Sequence, residues 1–168
     1  MSTQSVNTND PSPPSSSSIL GGADRLAARW QDFLLLVGRV CIGWIFITSG
    51  WRKLMDMDAF IYKGAGSLVG RGVPGAGFWG WIGAPVEFFG GLAILFGFAT
   101  RYVALLMILF VIIATAISHR YWEHSDPAQF RAQHSHFYKN LCMMGGLVVL
   151  FVAGAGRFAI DGLLRRRI

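Results

Sequence analysis

The chain has 168 residues, of which 53% are hydrophobic and only 14% charged, with a net charge of +6. A water-soluble domain carries about 25% charged residues, so much of this surface faces something other than water. Nucleic-acid binding is excluded as well, because the fifteen Lys and Arg are scattered between apolar runs instead of gathered on one polar face.

Residues 1–18 are rich in Ser, Pro and Asn, without an aromatic or branched apolar cluster. Such a stretch buries too little surface to offset its ordering entropy, and a disordered tail is expected there. Residues 19–30 suit a short interfacial helix with Arg25 and Arg29 on its polar side. A cleavable leader is not expected, since Arg39 interrupts the first apolar run and no Ala-x-Ala pattern follows it.

Four apolar runs come next. Phe33–Gly50 is interrupted by Arg39 and Phe78–Ala99 by Glu87, whereas Tyr102–Ser118 and Leu141–Gly156 carry no charge. A helix needs about 20 largely apolar residues to cross the hydrocarbon layer. Runs of 18, 22, 17 and 16 residues reach that length once flanking Trp, Tyr and Lys sit among the headgroups. They lack the alternation of barrel strands. The expected fold is all-α: a four-helix transmembrane bundle within residues 19–168, with helices near 31–53, 77–99, 101–121 and 137–157.

The first connection, 51–76, contains Gly70-Arg71-Gly72-Val73-Pro74-Gly75. The second, around Thr100-Arg101, is short enough to make an antiparallel hairpin, and the third, 120–136, holds most of the histidines. Four spans bring both termini to one side. Arg39 aside, seven Lys and Arg lie on that side and seven on the other, and the free cluster Arg165–Arg167 points the termini to the cytoplasm. Gly80/Ala84 and Ala93/Gly97 have the spacing that lets helix backbones approach closely. Pro85 removes a helix hydrogen bond just before Glu87.

A charge inside a span costs about 2.5–3.5 kcal/mol on insertion, so each one asks for a reason. By helical rise, Arg39 and Glu87 lie about 17 Å and about 14 Å from the same membrane face. They are expected to pair across the first two spans. That pair would fix helix register; in a second reading Glu87 carries protons. At the other end Arg101, Arg157 and Asp161 are expected to form a structural polar network, with an Arg101–Asp161 bridge.

Helix directions bring Ser49, Trp51, Lys53, His119, Trp122, Lys139 and Asn140 to one mouth. A quinone headgroup suits it: the ring stacks on Trp, the carbonyls accept hydrogen bonds from His, Lys or Asn, and the tail lies in lipid. Plain interfacial anchoring by Trp and Lys accounts for the same residues. His119, Glu123, His124, His134 and His136 invite a metal. However, His134-Ser135-His136 is not a structured ligand spacing and Asp126-Pro127 interrupts the loop, so solvated histidines and no metal are expected. Cys41 and Cys142 differ in depth by about 6 Å, close to the Cα reach of a disulfide before any lateral distance is added. Two buried free thiols are expected.

Arg39-x3-Gly43-x2-Phe46-x2-Ser49-Gly50-x2-Lys53-Leu54, followed by Gly72-Val73-Pro74, resembles the opening of the DoxX family. Glu87-x2-Gly90-Gly91-x5-Gly97-x2-Thr100-Arg101 continues the likeness. So do Phe137-x-Lys139-Asn140-Leu141-x3-Gly145-Gly146 and Gly154-Ala155-Gly156-Arg157-Phe158-x2-Asp161. The resemblance runs from Arg39 to Asp161 and implies a four-helix protein of the bacterial inner membrane. The family is described as oxidoreductases, with relatives in quinone-linked sulfur oxidation and in resistance to quinones and oxidative stress. Its polar positions fall on Arg39, Ser49, Lys53, Glu87, Arg101, His119, Lys139, Asn140, Arg157 and Asp161. The expectation is a quinone-linked oxidoreductase subunit whose headgroup site is Ser49, Lys53, His119, Trp122, Lys139 and Asn140, with Glu87 and His119 handling protons. No haem, flavin or Cys-pair motif is present, so electrons would come from a partner protein or a bound quinone; a homo-oligomer is the other association expected. The rival is a non-enzymatic scaffold or assembly factor whose polar positions hold the bundle together, since a family fold does not assign roles.

Overall fold

The computed structural model describes residues 17–64 and 66–165. Most of the tail expected to be disordered, and Arg166 and Arg167 of the basic cluster, lie outside them. Regular structure among the described residues is helical: α1 (Ser17–Met55), α2 (Met57–Ile61), α3 (Ala76–Phe96), α4 (Thr100–Ser118), a 3-10 turn (Tyr121–Glu123), α5 (Pro127–Ala153) and α6 (Ile160–Arg165). Four segments, Gly21–Met55, Ala76–Phe96, Thr100–Glu123 and Pro127–Ala153, are long and apolar enough to cross a membrane. The protein is an all-α, multi-pass membrane protein.

Among the described residues, those up to Gln31 form one compact unit and those from Asp32 onward another. In the first, Arg25 Nε donates to Gly21 O at 3.0 Å, one turn back on its own helix. The separate helix expected at 19–30 belongs instead to α1, which the residues around Gln31 neither cap nor break. The second unit holds the bundle.

In that bundle α1 and α3 meet backbone to backbone. A Cβ added at Gly43 would lie 2.9 Å from Gly91 O, and one at Gly50 only 2.6 Å from Phe88 N. Gly146 of α5 receives Ile42 of α1, and α4 packs against both α3 and α5. Phe46, Ile94, Ala104, Met107, Val111, Leu147 and Leu150 fill the shared core. The pairs expected to permit close approach do other work: Gly80 receives Ile61 of α2, and Gly97 receives the Arg39 side chain. Spacing within one helix marks where a neighbour fits, but not which neighbour arrives.

The hairpin closes as its short connection requires. Gly97, in the left-handed region at φ 68°, ends α3, Phe98 N donates back to Ala93 O at 2.9 Å, and α4 starts three residues later at Thr100. The first connection folds into a small lobe. Asp56 caps α2 by accepting from Ala59 N at 2.9 Å, and Ile61, Leu68, Val73 and Ala76 form a second apolar cluster against Ile117.

The largest departure from expectation is α5, which begins at Pro127 rather than near 137. Asp126 accepts from Gln129 N at 2.8 Å and Pro127 occupies the first turn. An acceptor at the cap followed by proline is a helix start, because proline's missing N–H is one the first turn leaves unbonded anyway. The expected loop histidines His134 and His136 therefore stand on a helix. Cys41 and Cys142 are free but exposed rather than buried.

Candidate functional site

A cavity of about 1020 Å³ opens among α1, the 56–75 lobe, α3, α4 and α5. Its polar lining includes Ser49, Arg52, Lys53, Asp56, Arg71, Glu87, His119, His136, Lys139 and Asn140, and its apolar walls include Ile45, Phe46, Val86, Leu106, Phe110, Val111 and Ile113. Of the six residues expected around a headgroup, Ser49, Lys53, His119, Lys139 and Asn140 line this one space. Trp122 does not. It sits exposed in the 3-10 turn, edge-on to Tyr121 and Phe137, because the turn carries it away from the end of α4.

Lys53 and Glu87 form an ion pair that ties α1 to α3 at the cavity wall. Glu87 is only 5% exposed, so the lysine is what makes its charge tolerable. The same ammonium stands 5.2 Å from the centre of the Phe60 ring, a cation–π contact to α2. Asn140, also buried, donates to Thr115 Oγ1 at 2.8 Å, linking α5 to α4. His119 caps the C-terminus of α4, and its Nδ1 pairs with Gln133 Oε1 at 2.9 Å. Its ring stacks on His136 with centroids 5.1 Å apart, and Lys139 Nζ lies 3.3 Å from His136 Nδ1. Arg71 is reached through its carbonyl by Arg120, at 3.3 Å; burial lowers its guanidinium below the ordinary arginine pKa.

The Arg39–Glu87 pair does not form. Arg39 is fully buried at the opposite end, where it donates to Phe158 O, with Asp161 as the nearby counter-charge. Helical side chains lean toward their own helix's N-terminus. In antiparallel α1 and α3 that sends Arg39 away from the cavity mouth and Glu87 toward it, where Lys53 leans inward to meet it. Equal depth of two Cα atoms does not bring their side chains together. Nor does the expected network join up as one. Asp161 accepts from Ala99 N and Thr100 N, both at 2.8 Å, instead of bridging Arg101. Arg101 donates to Val152 O at 3.1 Å, and Arg157 pairs with Asp32 at 3.9 Å and gives its backbone N–H to the same carboxylate. Among the described residues no three His, Cys, Asp or Glu converge as metal ligands do. Glu123 pairs instead with Arg120 at 3.0 Å, and His134 packs among Tyr121, Phe130 and Tyr138.

Sequence reasoning missed Arg52, Asp56, Phe60, Arg71 and His136 in the wall. His136 was within reach: with α5 starting at Pro127, residues 136, 139, 140 and 143 repeat at one-turn spacing and share a face, and all four line the cavity. The lobe residues carry no such periodic signal.

The DoxX family model matches residues 34–120. Inner membrane protein YqjF of Escherichia coli (strain K12) is 34% identical over 138 residues, covering 82% of this chain and 96% of the relative. The chain belongs to the DoxX family. A second relative of the DoxX chain, inner membrane protein YphA of the same organism, is 28% identical over 139 residues, 79% of this chain and 96% of its own. The SURF4 family model matches residues 86–166, so the second half of this DoxX protein is also similar to that family. No solved structure matches the chain.

Proposed function

We propose that this DoxX protein is the quinone-binding membrane subunit of an oxidoreductase, acting with a redox partner in the bacterial inner membrane with its termini in the cytoplasm. The observation that carries the reading is one cavity whose polar side chains, Lys53, His119, Lys139 and Asn140, adjoin apolar walls from α1, α3 and α4. An amphiphile with a polar ring and a hydrocarbon tail matches both parts. Both relatives are named as inner membrane proteins, which supports the location.

A bound quinone supplies the two-electron chemistry that no side chain here offers. The chain's part is to hold and orient it. Lys139 places an ammonium at the rim, and His119 exchanges a proton through Nε2, the ring nitrogen not engaged by Gln133. Glu87, held by Lys53, is the second proton-handling group.

The scaffold reading has one observation in its favour: Glu87 and Asn140 direct their polar atoms to Lys53 and Thr115 within the chain. The two readings separate on quinone content. Protein purified in mild detergent should carry near-stoichiometric quinone by mass spectrometry of extracted lipids, and Lys139→Ala should lose it while eluting as folded protein. Wild-type protein that holds no quinone and takes none up on addition would favour the scaffold.

A further inference from the structure

The two cavity imidazoles are held by partners of opposite kind. Gln133 Oε1 can only accept, so His119 carries its ring proton on Nδ1 and presents Nε2 as an acceptor. An ammonium can only donate, so the contact from Lys139 makes His136 Nδ1 an acceptor and puts that ring's proton on Nε2. Among the described residues neither Nε2 has a hydrogen-bond partner. The rings lie stacked, centroids 5.1 Å apart and planes 26° apart, and both residues line the cavity. The stacked pair therefore offers the cavity one acceptor and one donor.

A hydroxyl oxygen satisfies both at once, donating its hydrogen to His119 Nε2 and accepting from His136 Nε2–H. A carbonyl oxygen only accepts, so it satisfies His136 and leaves His119 Nε2 facing a lone pair. We infer that the stacked His119–His136 pair, its tautomers set by Gln133 and Lys139, selects the hydroxyl-bearing, reduced form of the headgroup over the carbonyl form. This rests on the quinone reading of the cavity. Gln133 is then a positioning residue, acting through His119. The selectivity amounts to about tenfold in affinity, the consequence of one unmade hydrogen bond. Tighter binding of the reduced form raises the potential of the bound two-electron couple, by about 30 mV for tenfold.

The test uses the full chain in detergent, with decylubiquinol and decylubiquinone as probes. In the nitrogen-15 spectrum of histidine-labelled protein, His119 should be the Nδ1–H tautomer and His136 the Nε2–H tautomer, before any ligand is added. The quinol should bind about tenfold more tightly than the quinone. In Gln133→Met, His119 should lose its fixed tautomer and the affinity ratio should fall toward one. A wild-type His119 protonated on Nε2, or a ratio unmoved by Gln133→Met, overturns the inference. Equal binding of both probes overturns it too but leaves the quinone reading standing, whereas binding of neither removes both.

Discussion

Asp161 accepts from two backbone N–H groups, those of Ala99 and Thr100, at 2.8 Å each. These are among the donors that a helix start leaves unbonded, and Thr100 is buried, so water is no substitute there. A negative charge at that position also opposes the positive end of the helix dipole. Asp161→Ala should lower stability by about 2 kcal/mol, at the upper end for a lost cap. Asn, with one acceptor oxygen in place of two, should recover about half of that. Thermal unfolding in detergent, followed by circular dichroism, checks both variants. The sequence marked Asp161 as structural but assigned it Arg101, because charges suggest charges, whereas backbone donors leave no mark in a sequence. Arg39 and Glu87 fared similarly: helical rise gives depth, and only the lean of each side chain along its own helix decides what it meets.

The spans themselves were legible, since a hydrocarbon layer demands a run of apolar residues of fixed length whatever the fold. Their ends were less so. Asp126-Pro127 is a start signal and a loop signal alike, and only the helix that follows distinguishes them. Glycines divide in the same way. Gly50 and Gly145 both lie within helices, but a Cβ on Gly50 would stand 2.6 Å from Phe88 N, whereas nothing lies within 4 Å of one on Gly145. Gly50→Ala should therefore push α1 from α3 and destabilise the protein by about 1–3 kcal/mol. Gly145→Ala should be neutral or stabilising by up to about 1 kcal/mol, the helix-propensity difference. Paired unfolding curves for the two variants decide the matter; equal loss in both would mean that the α1–α3 contact is not as close as described.

At the scale of the whole molecule, the outer surface and the cavity are different solvents. Leu105, Ile112, Val149 and Val152 stand exposed on the spanning helices, as do Cys41 and Cys142. A protein in water would bury such residues; in a bilayer they are the surface. A nitroxide attached to Cys41 or Cys142 in liposomes should be relaxed by dissolved oxygen and hardly at all by a water-soluble nickel complex. The reverse pattern would put that thiol in a water-filled space. The cavity was legible only in part. Ser49, Lys53, His119, Lys139 and Asn140 could be gathered by counting span directions, but Arg71 and Phe60 come from a connecting lobe whose course no periodicity reveals.

The contact between Arg39 and Phe158 O also orders the molecule in time. Synthesis proceeds from the first span to the last, so the guanidinium enters the membrane long before the carbonyl that receives it has been made. Until residues 158–161 leave the ribosome, Arg39 lacks that acceptor and the start of α4 lacks its carboxylate. The last segment thus acts as a clasp: a nascent chain stopped just short of it would contain all four spans but not the bonds that fasten the first span and the hairpin together.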